Sequence, residues 1–243
     1  MRVTMALIFL MALGVAWGVA AVAEEDADAR PDVTAPDEAP DLPEPSLHMV
    51  AMRDGTLLAT DVYVPEEGEG PFPVLLARTV YGRAGLQMWA VAAMGRGYAF
   101  VAQDCRGRGD SEGKDRIFRD DGWNERQDGA DTVAWVLDQS WCNGKLGTMG
   151  GSALGIVQAM MAPATDDVAA QSLGVAASDF YEQLAYQGGV FRKSLIEKWS
   201  EMQKSGYIVD VWHGHPTKDG FWQGYNADAR AGDITAPGLH IGG

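Results

Sequence analysis

Basic residues are scarce in this chain of 243 residues: 19 lysines and arginines stand against 34 aspartates and glutamates, and the formal net charge is −15. The acidity is densest at residues 24–45, where nine acidic residues, one arginine and five prolines occupy 22 positions. Such a chain lacks the positive surface that nucleic-acid binding requires. Nucleic acid is therefore excluded as a partner, and the acidity favours solubility or a cationic substrate.

Cysteine is nearly absent, with Cys105 and Cys142 as its two occurrences. Cys105 follows an apolar run that predicts a strand, whereas Cys142 precedes another. We therefore expect them at opposite edges of a sheet, too far apart for a disulfide, whose Cα atoms lie within ~7 Å. Both are predicted to be free structural cysteines.

Histidine is rare as well, with four residues. His48 is predicted to lie in an edge strand and His240 inside a buried strand. His213 and His215 could ligate a metal or belong to a structural turn, and the turn is favoured because no Cys, His or carboxylate cluster completes a metal site. The sequence implies no metal and no cofactor.

A long apolar run occurs once, from Met5 to Val19, between Arg2 and the small residues Ala21-Val22-Ala23. It is shorter than the ~20 residues of a membrane-spanning helix, and acidic residues follow it. These features predict a signal peptide cut after Ala23 rather than a membrane anchor. We expect a secreted or periplasmic protein that has no membrane segment after cleavage.

Strand and helix patterns alternate from residue 46 to residue 176. A hairpin is predicted around Arg53-Asp54-Gly55, and the later buried strands alternate with helices, which indicates an α/β fold with a mostly parallel sheet. The predicted units are a signal peptide (1–23), an acidic proline-rich disordered linker (24–45), a core (46–179), an inserted helical cap (180–232) and a return strand (233–243). A buried parallel strand rarely closes a domain, so we expect the chain to continue beyond Gly243.

The segment from Gly147 to Gly155 predicts a nucleophile elbow. A short apolar strand pattern leads into Gly150-Gly151-Ser152-Ala153, and an apolar helix pattern, Ala153 to Met161, follows at once. Small neighbours are what a sharp strand-to-helix turn with an exposed, strained serine requires. The closing glycine, Gly155, comes three residues after the serine rather than two, and an ordinary Gly-Ser loop is the alternative.

Several further motifs occur in a fixed order around this segment. They are Met52-Arg53-Asp54-Gly55-Thr56, Asp104-Cys105-Arg106-Gly107-Arg108-Gly109-Asp110-Ser111, Trp141-Cys142-Asn143-Gly144-Lys145 and His215-Pro216-Thr217. Together they resemble the serine hydrolases that include cocaine esterase, α-amino-acid ester hydrolases and X-Pro dipeptidyl-peptidases. The resemblance implies an α/β-hydrolase core with a helical cap.

The resemblance also implies roles for individual residues. Ser152 would be the nucleophile, and the Tyr81 hydroxyl with the backbone N–H of Ala153 would form the oxyanion hole. Val80 stands where the family often has proline, and Ala153 where it favours tyrosine. The aspartate and histidine of the triad would follow Gly243, so the 243 residues alone are expected to be inactive.

A secreted serine hydrolase of small esters or short peptides is therefore expected, and a non-catalytic pseudo-hydrolase or binding module is the alternative. The sequence does not choose between an ester, an X-Pro peptide and a β-lactam. Asp179 and Glu182 are candidates for binding a substrate ammonium group, or else exposed acids of the cap.

Charged residues elsewhere carry structural expectations. Arg106 and Arg108 are expected to pair with nearby carboxylates and shape the rim of the site. Asp128 and Asp131 are expected on the solvated face of a helix spanning 124–138, where acids in the first turn suit the helix dipole.

Overall fold

The structure, a computed structural model, describes residues 42–242. The predicted signal peptide and nearly all of the predicted linker lie outside the described residues. Seven strands in that range form one sheet: β1 Ser46–Ala51, β2 Leu57–Tyr63, β3 Phe72–Thr79, β4 Ala99–Asp104, β5 Cys142–Gly151, β6 Ala170–Gly174 and β7 Gly238–Ile241. The α-helices are α1 Gln87–Met94, α2 Asp128–Leu137, α3 Ala153–Met161, α4 Lys193–Met202 and α5 Tyr207–His213.

The sheet has the order β1-β2-β4-β3-β5-β6-β7. The β1–β2 hairpin is antiparallel, as the Asp-Gly turn predicted, and β2 is antiparallel to β4. From β4 to β7 every neighbouring pair is parallel. The carboxyl ends of these five strands therefore share one edge, which is where open α/β sheets place their sites.

Both faces of the central strands are covered by helices. Val74 and Leu76 of β3 belong to the hydrophobic cluster that contains α2, whereas Ala77 belongs to the cluster that contains α1. Successive side chains of a strand point to opposite faces, so this alternation places α1 and α2 on opposite sides of the sheet. The predicted α/β-hydrolase arrangement is confirmed.

Residues 180–233 form short helical segments around α4 and α5. They comprise a π-helix at Phe180–Ala185 and 3₁₀ turns at Gln187–Gly189, Gly220–Tyr225 and Asp228–Asp233. Their buried aromatic residues pack against α3 and against Val80 and Cys105, which follow β3 and β4. The segment thus contacts the carboxyl edge of the sheet.

Two predictions about elements are wrong. Helix α2 begins at Asp128 rather than near 124, because Gln127 has a left-handed backbone (φ 50°) and the Asp128 N–H donates to the Asp120 carbonyl at 2.8 Å. His240 is exposed rather than packed in a buried strand, because β7 is an edge strand of the described sheet.

None of the helices between residues 42 and 242 combines the length and the apolar content that crossing a bilayer would require.

Candidate active site

Ser152 lies between the end of β5 and the start of α3, at the carboxyl edge of the sheet. Its backbone has φ 54° and ψ −125°, which is a strained conformation for a residue with a Cβ atom. The Ser152 N–H donates to the Gly174 carbonyl at 2.8 Å, and the Ser152 carbonyl accepts from the Ile156 N–H at 3.0 Å. The serine is exposed, so this bend presents its side chain to solvent.

The bend can form because Gly150 and Gly155 have no side chains. A Cβ atom added to Gly150 would lie 2.5 Å from Cβ of Leu154, and one added to Gly155 would lie 2.8 Å from Cβ of Ala176. Both distances are too short for real contacts. Gly155 is thus required for α3 to pack against the chain after β6, which explains a glycine three residues after Ser152.

Helix α3 directs its first turn toward the serine. Ala153 is its first residue, and the first N–H groups of a helix have no acceptor within the helix. They also carry the positive end of the helix dipole. All nine residues of α3 are buried, so the helix is held firmly behind the bend. The Ala153 N–H is therefore placed to stabilise negative charge beside Ser152.

Tyr81 follows β3, which is parallel and adjacent to β5. Tyr81 and Ser152 thus extend from neighbouring strand ends. The Tyr81 N–H donates to the Thr79 hydroxyl at 2.9 Å, and the Tyr81 hydroxyl oxygen accepts from the indole Nε1–H of Trp199 at 3.1 Å. Trp199 lies in α4 and was not singled out from the sequence, where only the density of aromatic residues at 180–232 indicated a functional segment.

Arg83 anchors the loop that carries Tyr81. Its Nε donates to Asp61 Oδ1 at 2.9 Å, and its Nη1 donates to Asp104 Oδ2 at 2.7 Å and to Asp110 Oδ2 at 2.8 Å. The Arg83 N–H also donates to Asp104 Oδ1 at 2.7 Å. Because Asp61 and Asp104 belong to β2 and β4, the loop is tied to two strands.

Arg106 and Arg108 pair with carboxylates, as predicted. Arg106 Nη2 lies 2.6 Å from Asp128 Oδ1, and Arg108 Nη1 lies 3.2 Å from Asp115 Oδ2. The expectation that Asp128 lies on a solvated face is wrong, because its carboxylate is fully buried against Arg106. Asp131 is half-buried and pairs with Arg53.

Asp179 and Glu182 are both bound to the same lysine. Lys218 Nζ lies 2.6 Å from Asp179 Oδ2 and 2.6 Å from Glu182 Oε1. Asp179 is buried and also accepts a hydrogen bond from the Glu182 N–H at 3.1 Å. A substrate ammonium group would have to displace Lys218 from this pair.

A buried ion pair lies near the end of β3. Arg78 Nη1 lies 2.5 Å from Asp121 Oδ1, and Arg78 Nε donates to Gln103 Oε1 at 2.7 Å. Burial raises the pKa of Asp121 to about 6, although Arg78 favours its charged form. Burial also raises the pKa of the Cys105 thiol well above its ordinary value. Cys105 is therefore a neutral structural thiol, and both it and Cys142 are free and buried.

His48, His213 and His215 each contact another side chain of the fold. His48 lies in the edge strand β1, where its ring centroid is 5.4 Å from that of Trp135. His213 packs against Phe191 with centroids 4.2 Å apart, and His215 Nδ1 pairs with Asp219 Oδ2 at 2.8 Å. Among residues 42–242 no group of three or more His, Cys, Asp or Glu side chains could hold a metal ion.

Residues 54–207 match the family model of X-Pro dipeptidyl-peptidase (S15 family). The chain is 36% identical to cocaine esterase from Rhodococcus sp. (strain MB1 Bresler) over 176 residues, which are 69% of this chain and 30% of that protein. It therefore spans about a third of the length of this relative.

Solved structures show the same fold. A CocE/NonD family hydrolase from Staphylococcus aureus gives a TM-score of 0.69 at 22% identity, over 80% of this chain and 39% of that one. An α-amino acid ester hydrolase gives a TM-score of 0.66 at 20% identity, over 89% of this chain and 46% of that one. The fold and the sequence match agree, and the chain belongs to the X-Pro dipeptidyl-peptidase (S15) family of hydrolases.

Proposed function

We propose that the protein containing this chain is a serine hydrolase that cleaves carboxylic esters through an acyl-enzyme on Ser152. The observation that carries the proposal is the backbone of Ser152, at φ 54° and ψ −125° between a parallel strand and a buried helix. Such strain persists only where the surrounding structure holds it, and it is concentrated at active sites. The strand–serine–helix arrangement is that of a nucleophile elbow.

In the proposed reaction, the Ser152 hydroxyl oxygen attacks the ester carbonyl carbon as a general base takes its proton. The carbonyl oxygen becomes an oxyanion, which accepts hydrogen bonds from the Ala153 N–H and the Tyr81 hydroxyl. The alcohol leaves with a proton, and water then attacks the acyl-enzyme to release the acid and restore Ser152. Removing one such oxyanion donor typically lowers the rate by ~10²–10³-fold.

The general base and the acid that orients it are proposed to lie outside the described residues. The family resemblance assigns them to an aspartate and a histidine that follow the β7 strand. None of the histidines described above lies in the strand-end loops that carry Tyr81 and Ser152. The proposed activity therefore belongs to a protein of the relatives' length rather than to residues 42–242.

An ester substrate is supported by the 36% identity to an esterase. An X-Pro peptide is the second candidate, because the matching family model is that of an X-Pro dipeptidyl-peptidase. Asp179 and Glu182 are disfavoured as a binding site for a substrate ammonium group, because both already pair with Lys218. Residues 1–23 support the further proposal that the protein is exported.

A fluorophosphonate probe tests the nucleophile on the full-length protein. We expect one covalent adduct, located by peptide mass spectrometry on Ser152, and no adduct in the Ser152→Ala variant. The Ser194→Ala variant, which changes an exposed serine of α4, serves as the matched control and should be labelled normally. Labelling that survives Ser152→Ala would disprove the assignment, and an unlabelled wild type would support a non-catalytic module.

Substrate preference is tested separately with p-nitrophenyl acetate and an alanyl-prolyl p-nitroanilide. We expect the higher kcat/KM on the p-nitrophenyl ester. A higher kcat/KM on the alanyl-prolyl substrate would replace the esterase proposal by a peptidase one and leave the role of Ser152 intact.

A further inference from the structure

We infer that Trp199 is a positioning residue of the oxyanion hole: its indole N–H commits the Tyr81 hydroxyl to donate its own proton to the reacting carbonyl oxygen. The inference rests on the proposed roles of Ser152 and Tyr81. It adds a residue from the helical segment, 118 positions away in sequence, to a site otherwise built from strand ends.

The direction of the hydrogen bond follows from chemistry. An indole N–H donates and never accepts, whereas a phenolic hydroxyl both donates one proton and accepts. The 3.1 Å contact between Trp199 Nε1 and the Tyr81 oxygen therefore has Trp199 as donor. The phenolic proton is left for another acceptor. In the part of the chain that the structure describes, no other side chain is bonded to this hydroxyl.

Tyr81 needs such a partner because it is exposed, at 44% of its surface. In an exposed tyrosine the hydroxyl group rotates, and its proton is donated to water molecules in several directions. A fixed donor on one side of the oxygen removes the orientations in which the proton points toward that donor. An oxyanion donor that is already oriented does not have to reorganise during the reaction.

Trp199 is itself held firmly. Its ring stacks on Phe118 with centroids 6.0 Å apart and an interplanar angle of 26°, and Phe118 packs against Phe180 at 5.2 Å.

The chain after α4 is bonded to the core. The Ser205 hydroxyl accepts from Arg108 Nη1 at 2.7 Å, and the Tyr207 hydroxyl donates to the Asp115 carbonyl at 2.9 Å. The indole N–H is thus presented to Tyr81 from near the C-terminal end of α4, where the following chain is fixed to the core.

The same bond gains strength during the reaction. As the carbonyl oxygen becomes negative, the Tyr81 proton is drawn toward it and negative charge grows on the phenolic oxygen. A hydrogen bond donated to that oxygen is stronger when the oxygen carries more charge. Trp199 therefore stabilises the transition state more than the bound substrate, and its loss should lower kcat rather than raise KM.

A double-mutant cycle on the full-length protein with a p-nitrophenyl ester tests the inference. Trp199→Phe removes the N–H and keeps a ring to stack on Phe118. We expect kcat to fall ~5- to 10-fold with KM within ~2-fold, a smaller loss than the ~10²–10³-fold expected for Tyr81→Phe. In the Tyr81→Phe background, Trp199→Phe should have no further effect, because the hydroxyl it acts on is gone.

An equal loss of kcat from Trp199→Phe in both backgrounds would overturn the inference, since it would show a role independent of the Tyr81 hydroxyl. An unchanged kcat in Trp199→Phe would overturn it as well. If Tyr81→Phe alone leaves kcat unchanged, the oxyanion role of Tyr81 in the proposed function fails first, and this outcome is distinct from the other two. The matched control Trp89→Phe, in α1, should leave kcat unchanged.

A second replacement guards against misfolding. Incorporating β-(3-benzothienyl)alanine at position 199 keeps the bicyclic shape of tryptophan and puts sulfur in place of the N–H group. We expect the same loss of kcat as with Trp199→Phe and an unchanged Tm. Wild-type kcat with this residue would show that the ring alone matters, and the inference would then be wrong.

Discussion

Replacing Ser152, the proposed nucleophile, by glycine should stabilise the protein. The observed backbone, φ 54° and ψ −125°, costs a residue with a Cβ atom ~1–3 kcal/mol. Ser152→Gly removes that cost, but the unfolded chain gains freedom worth ~0.4–1 kcal/mol. Ser152→Ala keeps the Cβ atom and the strain. We therefore expect Ser152→Gly to exceed Ser152→Ala in free energy of unfolding by ~0.5–2 kcal/mol.

Both variants lack the hydroxyl group, so the comparison isolates the backbone. Ala134 provides the matched control, because it is exposed in the interior of α2. There Ala134→Gly should lower the free energy of unfolding by ~1 kcal/mol, the usual difference between the two residues in a helix. The sign of the alanine-to-glycine change should thus reverse between the two positions.

Urea unfolding of the purified protein, followed by circular dichroism, measures these differences, since variants with equal m-values can be compared by their midpoints. If Ser152→Gly unfolds at the same urea concentration as Ser152→Ala or at a lower one, the strain at position 152 does not exceed the ~0.4–1 kcal/mol that glycine adds to the freedom of the unfolded chain, and it falls short of the ~1–3 kcal/mol expected. The principal support for the proposed nucleophile would then be lost.

Three further predictions concern the surroundings of the site. Gly150→Ala should lower the free energy of unfolding by ~1–3 kcal/mol in the same assay, because its Cβ atom would overlap the first turn of α3. Lys218→Met should lower it by about 1 kcal/mol, because the buried Asp179 carboxylate loses its charged partner; an unchanged value would show that the pair is not stabilising. Hydrogen bonds from Arg106 hold the pKa of Asp54 below its usual range, so its contribution is present above its ordinary pKa of ~4 and is lost as the pH falls further. The difference in Tm between wild type and Asp54→Asn should therefore shrink from pH 6 to pH 2, and a constant difference would contradict this.

The elements that carry Ser152 could be predicted because their signals are local. Gly150, Gly155 and the apolar residues between them leave few other conformations, and α3 has the predicted bounds, Ala153–Met161. The alternation of strand and helix patterns likewise predicted the parallel sheet. In these segments the local pattern and the final packing agree, which is the condition under which a sequence is informative.

The contacts that surround the site could not be predicted, because they join distant parts of the chain. Asp128 looked like an exposed first-turn acid, and only the folded loop brings Arg106 over it. The partner of Asp179 lies 39 positions away at Lys218. No pattern near Trp199 indicates that its indole N–H meets the phenol of Tyr81, in the loop after β3. Side-chain pairing of this kind depends on tertiary structure rather than on periodicity.

The burial of helix α3 has a consequence for biosynthesis. A helix that is buried on all sides exposes apolar surface, and is prone to aggregate, until the sheet and the aromatic residues that pack against it are in place. Those aromatic residues are translated after α3. When Met161 has just emerged from the ribosome, the apolar segment that becomes α3 is therefore exposed without the aromatic residues that later cover it. We expect this segment to depend on chaperones until those aromatic residues have been translated.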